Sequence, residues 1–147
     1  MAIDTTTTSA ARINPSIDCG PAQVRAHYRH LATVITVRGR IDATNADQIS
    51  EHARRFVSAH EPLVLDLSEV TTFTAAGVWL LSVLDGDCRA GGVDWTLIES
   101  PAVRDVLSDF GDDKFATATS VDQALRALAD GNDQLRQQLL PLLQKSA

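Results

Sequence analysis

The sequence predicts an α/β fold: a mostly parallel mixed sheet of about four to five strands with about four helices. Three observations predict it. After two β-like segments, helical and strand-like periods alternate three times before a closing helix, and such alternation makes crossover helices on a largely parallel sheet. The run Leu-Val-Leu-Asp-Leu at 63–67 is short and almost continuously apolar, the pattern of a strand buried on both faces. The chain has 147 residues, 44% of them apolar and 22% charged, which suits one domain with a real core and leaves no room for a two-domain enzyme.

Residues 1–20 are rich in Thr, Ser and Ala and carry no apolar period, so they are expected to form a flexible leader ahead of a domain at 21–130. Gln23 to His30 and Thr33 to Val37 read as a hairpin, the second strand holding the β-branched Val34, Ile35 and Val37, with Gly39 ending it. From Asn45 to Ala59 the apolar Ile49, Ala53, Phe56 and Val57 recur at three- and four-residue steps, a helix with one buried stripe. Glu61-Pro62 ends it, and the strand at 63–67 follows, then a loop from Ser68 to Thr74. The segment from Ala75 is helical by period and stops at Gly91-Gly92, where glycine accepts the left-handed conformation of a helix end. Val93 to Ile98 is the next strand. Ser100 as cap acceptor and Pro101 in the first turn open a helix through Phe110. Phe115 to Thr119 is short and β-like, and a last helix starts at Ser120 and ends at Gly131. The tail at 131–147 places Leu135, Leu139, Leu142 and Leu143 on one helical side, interrupted by Pro141, and either caps the domain or docks on a partner.

The net charge is −6 and unevenly spread. Residues 1–60 carry seven Lys/Arg against five Asp/Glu, and residues 61–147 six against fourteen. An acidic body repels phosphate, so no nucleic-acid partner is expected. The cluster Asp109, Asp112 and Asp113 is either a solvated surface or a steering patch for a basic partner. No apolar run reaches membrane-spanning length and the N-terminus lacks the blocks of a secretory signal, which argues for a cytoplasmic protein with no direct membrane insertion. Cys19 and Cys88 are too few and too far apart for a disulfide framework or a zinc site, so no metal is expected. They are reduced thiols or, because Cys19 falls in the leader, a redox-sensitive pair.

The chain lacks the phosphate-cradling, zinc-protease and nucleophile-elbow spacings, its four histidines are scattered, and Asp85 and Asp87 point apart on a helix. The expectation is a binding protein without catalysis or cofactor. Trp79 stands out for binding: Leu80, Leu81, Leu84 and Cys88 share one side of their helix while Trp79 and Val83 project elsewhere. An exposed indole is a natural anchor, unless a neighbouring helix or the tail covers it. Trp95, within a strand, is expected to pack in the sheet.

Val64 to Leu84 is the informative stretch. Asp66-Leu67-Ser68 and Val70 at a strand end, Gly77, and Leu80, Leu81 and Leu84 on the following helix resemble the STAS domain family of anti-sigma factor antagonists. Gly39-Arg40-Ile41-Asp42 upstream and Gly91-Gly92-Val93 downstream extend the likeness over roughly residues 22–130. The resemblance implies a STAS-like fold and a partner that is an anti-sigma factor or a related serine-kinase-like regulator. It also implies a partner-binding region at Asp42, Ser68, Thr72, Thr74, Ala75, Ala76, Gly77 and Trp79. By the spacing to Gly77, Ala75 stands where the family has its phosphoacceptor serine, Thr74 where it has aspartate, and Ala76 where it has a second serine. Alanine has no hydroxyl, so the usual switch, which puts negative charge at a helix start, is lost. Thr74 is a weak substitute acceptor or simply the helix cap. A homodimer is compatible with this reading. The rival readings are an adaptor subunit of a transport or stress-signalling complex, and a ligand sensor, for which the sequence has no Gly-rich or basic signature.

Overall fold

The computed structural model describes residues 16–29, 32–57, 61–110 and 115–130. In chain order these form β1 (Ile17–Cys19), β2 (Ala22–Arg29), β3 (Ala32–Ile41), α1 (Ala46–Val57), β4 (Leu63–Phe73), α2 (Ala75–Gly91), β5 (Trp95–Ile98), α3 (Pro101–Asp109), β6 (Thr117–Ala118) and α4 (residues 121–130). The six strands make one sheet in the order of the chain. Pairings β1–β2 and β2–β3 are antiparallel, and β3–β4, β4–β5 and β5–β6 are parallel. The α/β class, the hairpin and the three strand–helix–strand crossovers are thus present, with one or two strands more than expected.

The pleat of β4 sorts the core. Leu63, Leu65 and Leu67 point to one face and are fully buried against α1, α2 and α3 through Ile49, Ala53, Leu81, Leu84, Val103 and Leu107. Val64 points the other way and joins Val34 and Ile98 under Ala124 and Leu125 of α4. The 63–67 run is therefore apolar on both sides because helices cover both sides. Beyond α4 the second face is polar, with Gln23, Arg38 and Glu69 in register and Arg38 Nε 3.1 Å from a Glu69 carboxylate oxygen.

Four expectations are corrected. Residues 17–19, assigned to a flexible leader, form an edge strand: Cys19 is buried and pairs opposite Ala22, so long-range pairing orders a segment too short to show a period. Residues 1–15 and the tail 131–147 lie outside the described residues, as do Asp112 and Asp113. Gly39 does not end β3. The strand passes through it at φ +108°, with register shifts on either side, because a Cβ there would lie 2.5 Å from the Pro21 carbonyl oxygen. The segment expected as a loop from Ser68 to Thr74 is strand as far as Phe73, held in register with β3 up to Ile41↔Phe73. Finally, α2 begins at Ala75 and ends at Gly91 with Gly92 at φ 67°, but its cap is not as expected, as described below.

Candidate partner-binding site

The register of β3 and β4 sets Arg40 beside Thr72 and Ile41 beside Phe73, so both strands deliver their carboxyl ends to one rim of the sheet. There β3 turns into α1 and β4 into α2, and chain reversals at such ends are where α/β proteins place their binding residues. The turn after β3 is built on Asp42 and Asn45. Asp42 Oδ1 accepts from the Thr44 amide at 2.9 Å and from the Thr44 hydroxyl, and these bonds hold its carboxyl below the usual carboxylate range, helped by the nearby Arg40 guanidinium. The Asp42 carbonyl accepts the Ala46 amide at 3.0 Å, starting α1.

Asn45 is fully buried and saturated. Its Nδ2 donates to the Cys19 carbonyl at 2.9 Å and the Arg40 carbonyl at 2.8 Å, while its Oδ1 accepts the Asp42 amide at 3.0 Å. One side chain thus ties β1, the end of β3 and the start of α1. Sequence reasoning missed it. Its only signal is a hydrogen-bonding residue three positions after Asp42, and its most distant partner, the Cys19 carbonyl, comes from a strand 26 residues earlier.

On the β4 side, Thr74 occupies the residue before α2 in an extended conformation, φ −119°, yet its side chain makes no cap hydrogen bond. Its hydroxyl instead donates to the Ile41 carbonyl at 3.4 Å, a brace between the two strand ends. That corrects the expectation of a side-chain cap at Thr74. Ala75 is exposed as the first helical residue, Ala76 is half-buried against the core, and Gly77 is buried under Phe73. A Cβ on Gly77 would sit 2.3 Å from Phe73 Cε1, so the glycine is required by close packing and not by its backbone angles. Trp79, one turn on from Ala75, is 47% exposed. Trp95 is buried in the sheet as expected, its Nε1 donating to Asp85 at 3.0 Å.

Asp42, Thr72, Thr74, Ala75, Ala76, Gly77 and Trp79 therefore gather at one rim. Ser68 does not join them. It lies back along β4, about 20 Å from Thr74 at a strand's rise per residue, where its amide donates to Asp66 at 3.0 Å. The redox reading of Cys19 and Cys88 is also corrected. Both are free and buried, burial and Asp18 push the Cys19 thiol up, and burial with Asp85 and Asp87 pushes Cys88 up to about 12. A thiol kept protonated is a poor nucleophile, and Cys19 sits inside the sheet rather than in a reaching segment. No helix among the described residues is long and apolar enough to cross a membrane.

The family model for the STAS domain matches residues 22–124, most of the chain and all of this rim. The chain belongs to the STAS domain family. Over 139 residues this STAS protein is 52% identical to Osmosensory protein A of Mycobacterium tuberculosis, covering 91% of this chain and 88% of that one. Among solved structures, an anti-sigma factor antagonist from Mycobacterium paratuberculosis superimposes with a TM-score of 0.64 at 24% identity, over 77% of this chain and 97% of that one. RsbS from Moorella thermoacetica does so with a TM-score of 0.61 at 22% identity, over 73% and 97%. At those identities the structural likeness speaks for the fold, and it agrees with the six-stranded STAS sheet seen here.

Proposed function

We propose that this STAS protein is an anti-sigma factor antagonist-like regulator. It acts in the cytoplasm by binding, without catalysis, to an anti-sigma factor or a related serine-kinase-like regulator. The observation that carries the reading is the half-exposed indole of Trp79 standing one helical turn beyond a rim made by Asp42, Thr72, Thr74 and Ala75. An indole on the surface beside a polar rim is the composition of a binding hot spot. Ala75 is the exposed first residue of α2 and cannot accept phosphate, so the usual switch is absent at that position and the protein either binds constitutively or is controlled another way. The family resemblance implies that the missing serine belongs at this position, and the exposed helix start is compatible with that reading. The name of the 52% identical relative favours a role in the response to osmotic stress. The same name keeps a stress-signalling adaptor as the second reading.

The test is affinity for the regulatory kinase captured with the wild-type chain. Trp79→Ala should weaken binding at least tenfold, about 1.4 kcal/mol, and leave the fold intact. Ala75→Glu, which puts a negative charge where the family would place phosphate, should weaken it by a similar factor. Unchanged affinity in both variants discards the rim as the binding surface.

A further inference from the structure

Resting on the partner-binding reading of the rim, we propose that Arg40 is a second contact, on the opposite side of the rim from Trp79, and that it takes the carboxylate of an aspartate or glutamate on the partner.

The pleat sets the two groups apart. Ile41 and Phe73, paired in register, are both buried in the main core with α1, α2 and α3. Side chains alternate along a strand, so their neighbours Arg40 and Thr72, which also pair, take the second face, whereas Trp79 rises from α2 on the first. Among the described residues, α4 covers the second face at the other end of β3, on Ala32 and Val34. The Arg40 side chain is 60% exposed. A surface that straddles the rim therefore meets an indole on one side and a guanidinium on the other.

The backbone of Arg40 is pinned and its charge is left over. Its amide donates to the Pro21 carbonyl at 3.2 Å, and its carbonyl accepts Asn45 Nδ2 at 2.8 Å. The guanidinium makes no hydrogen bond to a described residue: the nearest carboxylate oxygen, Oδ2 of Asp42, is 4.0 Å away, beyond hydrogen-bond reach. Oδ1 of the same carboxylate is taken by Thr44. By contrast, Arg29, Arg38, Arg54 and Arg89 stand 2.8–3.1 Å from their carboxylates. A planar fork of N–H donors on a fixed backbone matches a carboxylate in charge and in shape, and such pairs are bidentate and charge-assisted. The net charge of −6 repels a partner that is acidic throughout, so what fits is one carboxylate opposite Arg40 on an otherwise neutral or basic surface. A lysine in its place would set like charges together, so the contact selects among partners.

The test uses the full chain, with the regulator captured by the wild-type chain, once purified, as the probe. Arg40→Gln should weaken binding about tenfold and leave the urea midpoint where it was, because the lost group bonds nothing in the free chain. Its association rate should depend less steeply on salt than that of the wild type. Arg40→Glu should bind more weakly still, and one Asp→Lys or Glu→Lys substitution on the regulator should restore that binding, a rescue that a merely structural role of Arg40 would not produce. Wild-type affinity in Arg40→Gln, or failure of every such charge reversal to rescue Arg40→Glu, overturns the proposal. Trp79→Ala separates this contact from the reading it rests on. If Trp79→Ala weakens binding and Arg40→Gln does not, the partner stays on the first face and only the Arg40 contact falls; if neither does, the rim is not the binding surface and both fall.

Discussion

At the scale of single residues, Asn45 decides more than any member of the motif. It is fully buried, and buried polar groups persist only when their hydrogen-bonding capacity is met, as it is here by two carbonyls and one amide. Asn45→Ala would leave the Cys19 and Arg40 carbonyls and the Asp42 amide short of a partner at once. The expected loss is about 2–3 kcal/mol of stability, read as a lower urea midpoint at constant slope. Because the Asp42 turn would loosen with it, partner affinity should fall in the same variant under conditions where it is still folded. Asn45→Asp keeps the shape and removes both donors, so it should be no better than Ala; full stability in Asn45→Asp would show that the two carbonyls do not depend on this side chain. Thr74 teaches the complementary lesson. Its position before α2 predicts a cap, but its hydroxyl is within reach of the Ile41 carbonyl and is committed to joining two strands.

At the scale of elements, the junction of β4 and α2 rests on Phe73 lying over Gly77. Adding one methyl there forces the ring aside, since 2.3 Å is far inside van der Waals contact. Gly77→Ala should cost about 1–3 kcal/mol by overpacking and shift Trp79 with the helix start. Phe73→Leu, which removes ring atoms from that contact, should recover part of the loss in the double variant, a coupling that a thermodynamic cycle would measure. Additive losses would mean the two residues do not meet. The elements that were legible in the sequence are those whose signal is local. The 63–67 run, the stripe of α1, the Ser100-Pro101 start of α3 and the Gly92 end of α2 all appear where expected, with Ser100 Oγ accepting the Val103 amide at 3.2 Å. Those that were not legible owe their form to distant partners. β1 is three residues long and exists because β2 pairs with it. The polar half of β4, Ser68 to Thr72, is strand because β3 runs beside it through two register shifts. Of the candidate site, Asp42 and Thr74 were reached only through the resemblance to the family and Trp79 through its helical spacing, whereas the buried Asn45 brace had neither signal.

At the scale of the whole molecule, the titratable groups shifted by their surroundings predict the pH range in which the fold should be most stable. His27 is lowered from the ordinary histidine value by burial first and then by Arg25 and Arg29, against a smaller pull from Asp66; His52 is lowered by burial and by Arg55. Unfolded chains therefore bind more protons than folded ones below about pH 6.5, so stability is complete above that value and declines as pH falls toward the folded pKa values. Asp42 adds a later acid loss, its stabilisation being present above the ordinary aspartate value and disappearing as pH drops through its lowered one. Cys88 acts from the other side. Its thiol, pushed up to about 12, stays protonated when folded but ionises near its ordinary value when unfolded, so stability declines again as pH rises above about 8.5. Urea midpoints measured from pH 5 to 10 should peak between about pH 7 and 8. Replacing His27 and His52 by Gln should flatten the acid limb between pH 6.5 and 5, and Cys88→Ala the alkaline limb. In the native chain neither thiol should react with an aromatic disulfide reagent at pH 7.5 until urea is added, whereupon both should titrate. Rapid labelling of the folded chain would show that the burial holding both thiols protonated opens readily, and the alkaline limb of the profile would then have to arise elsewhere.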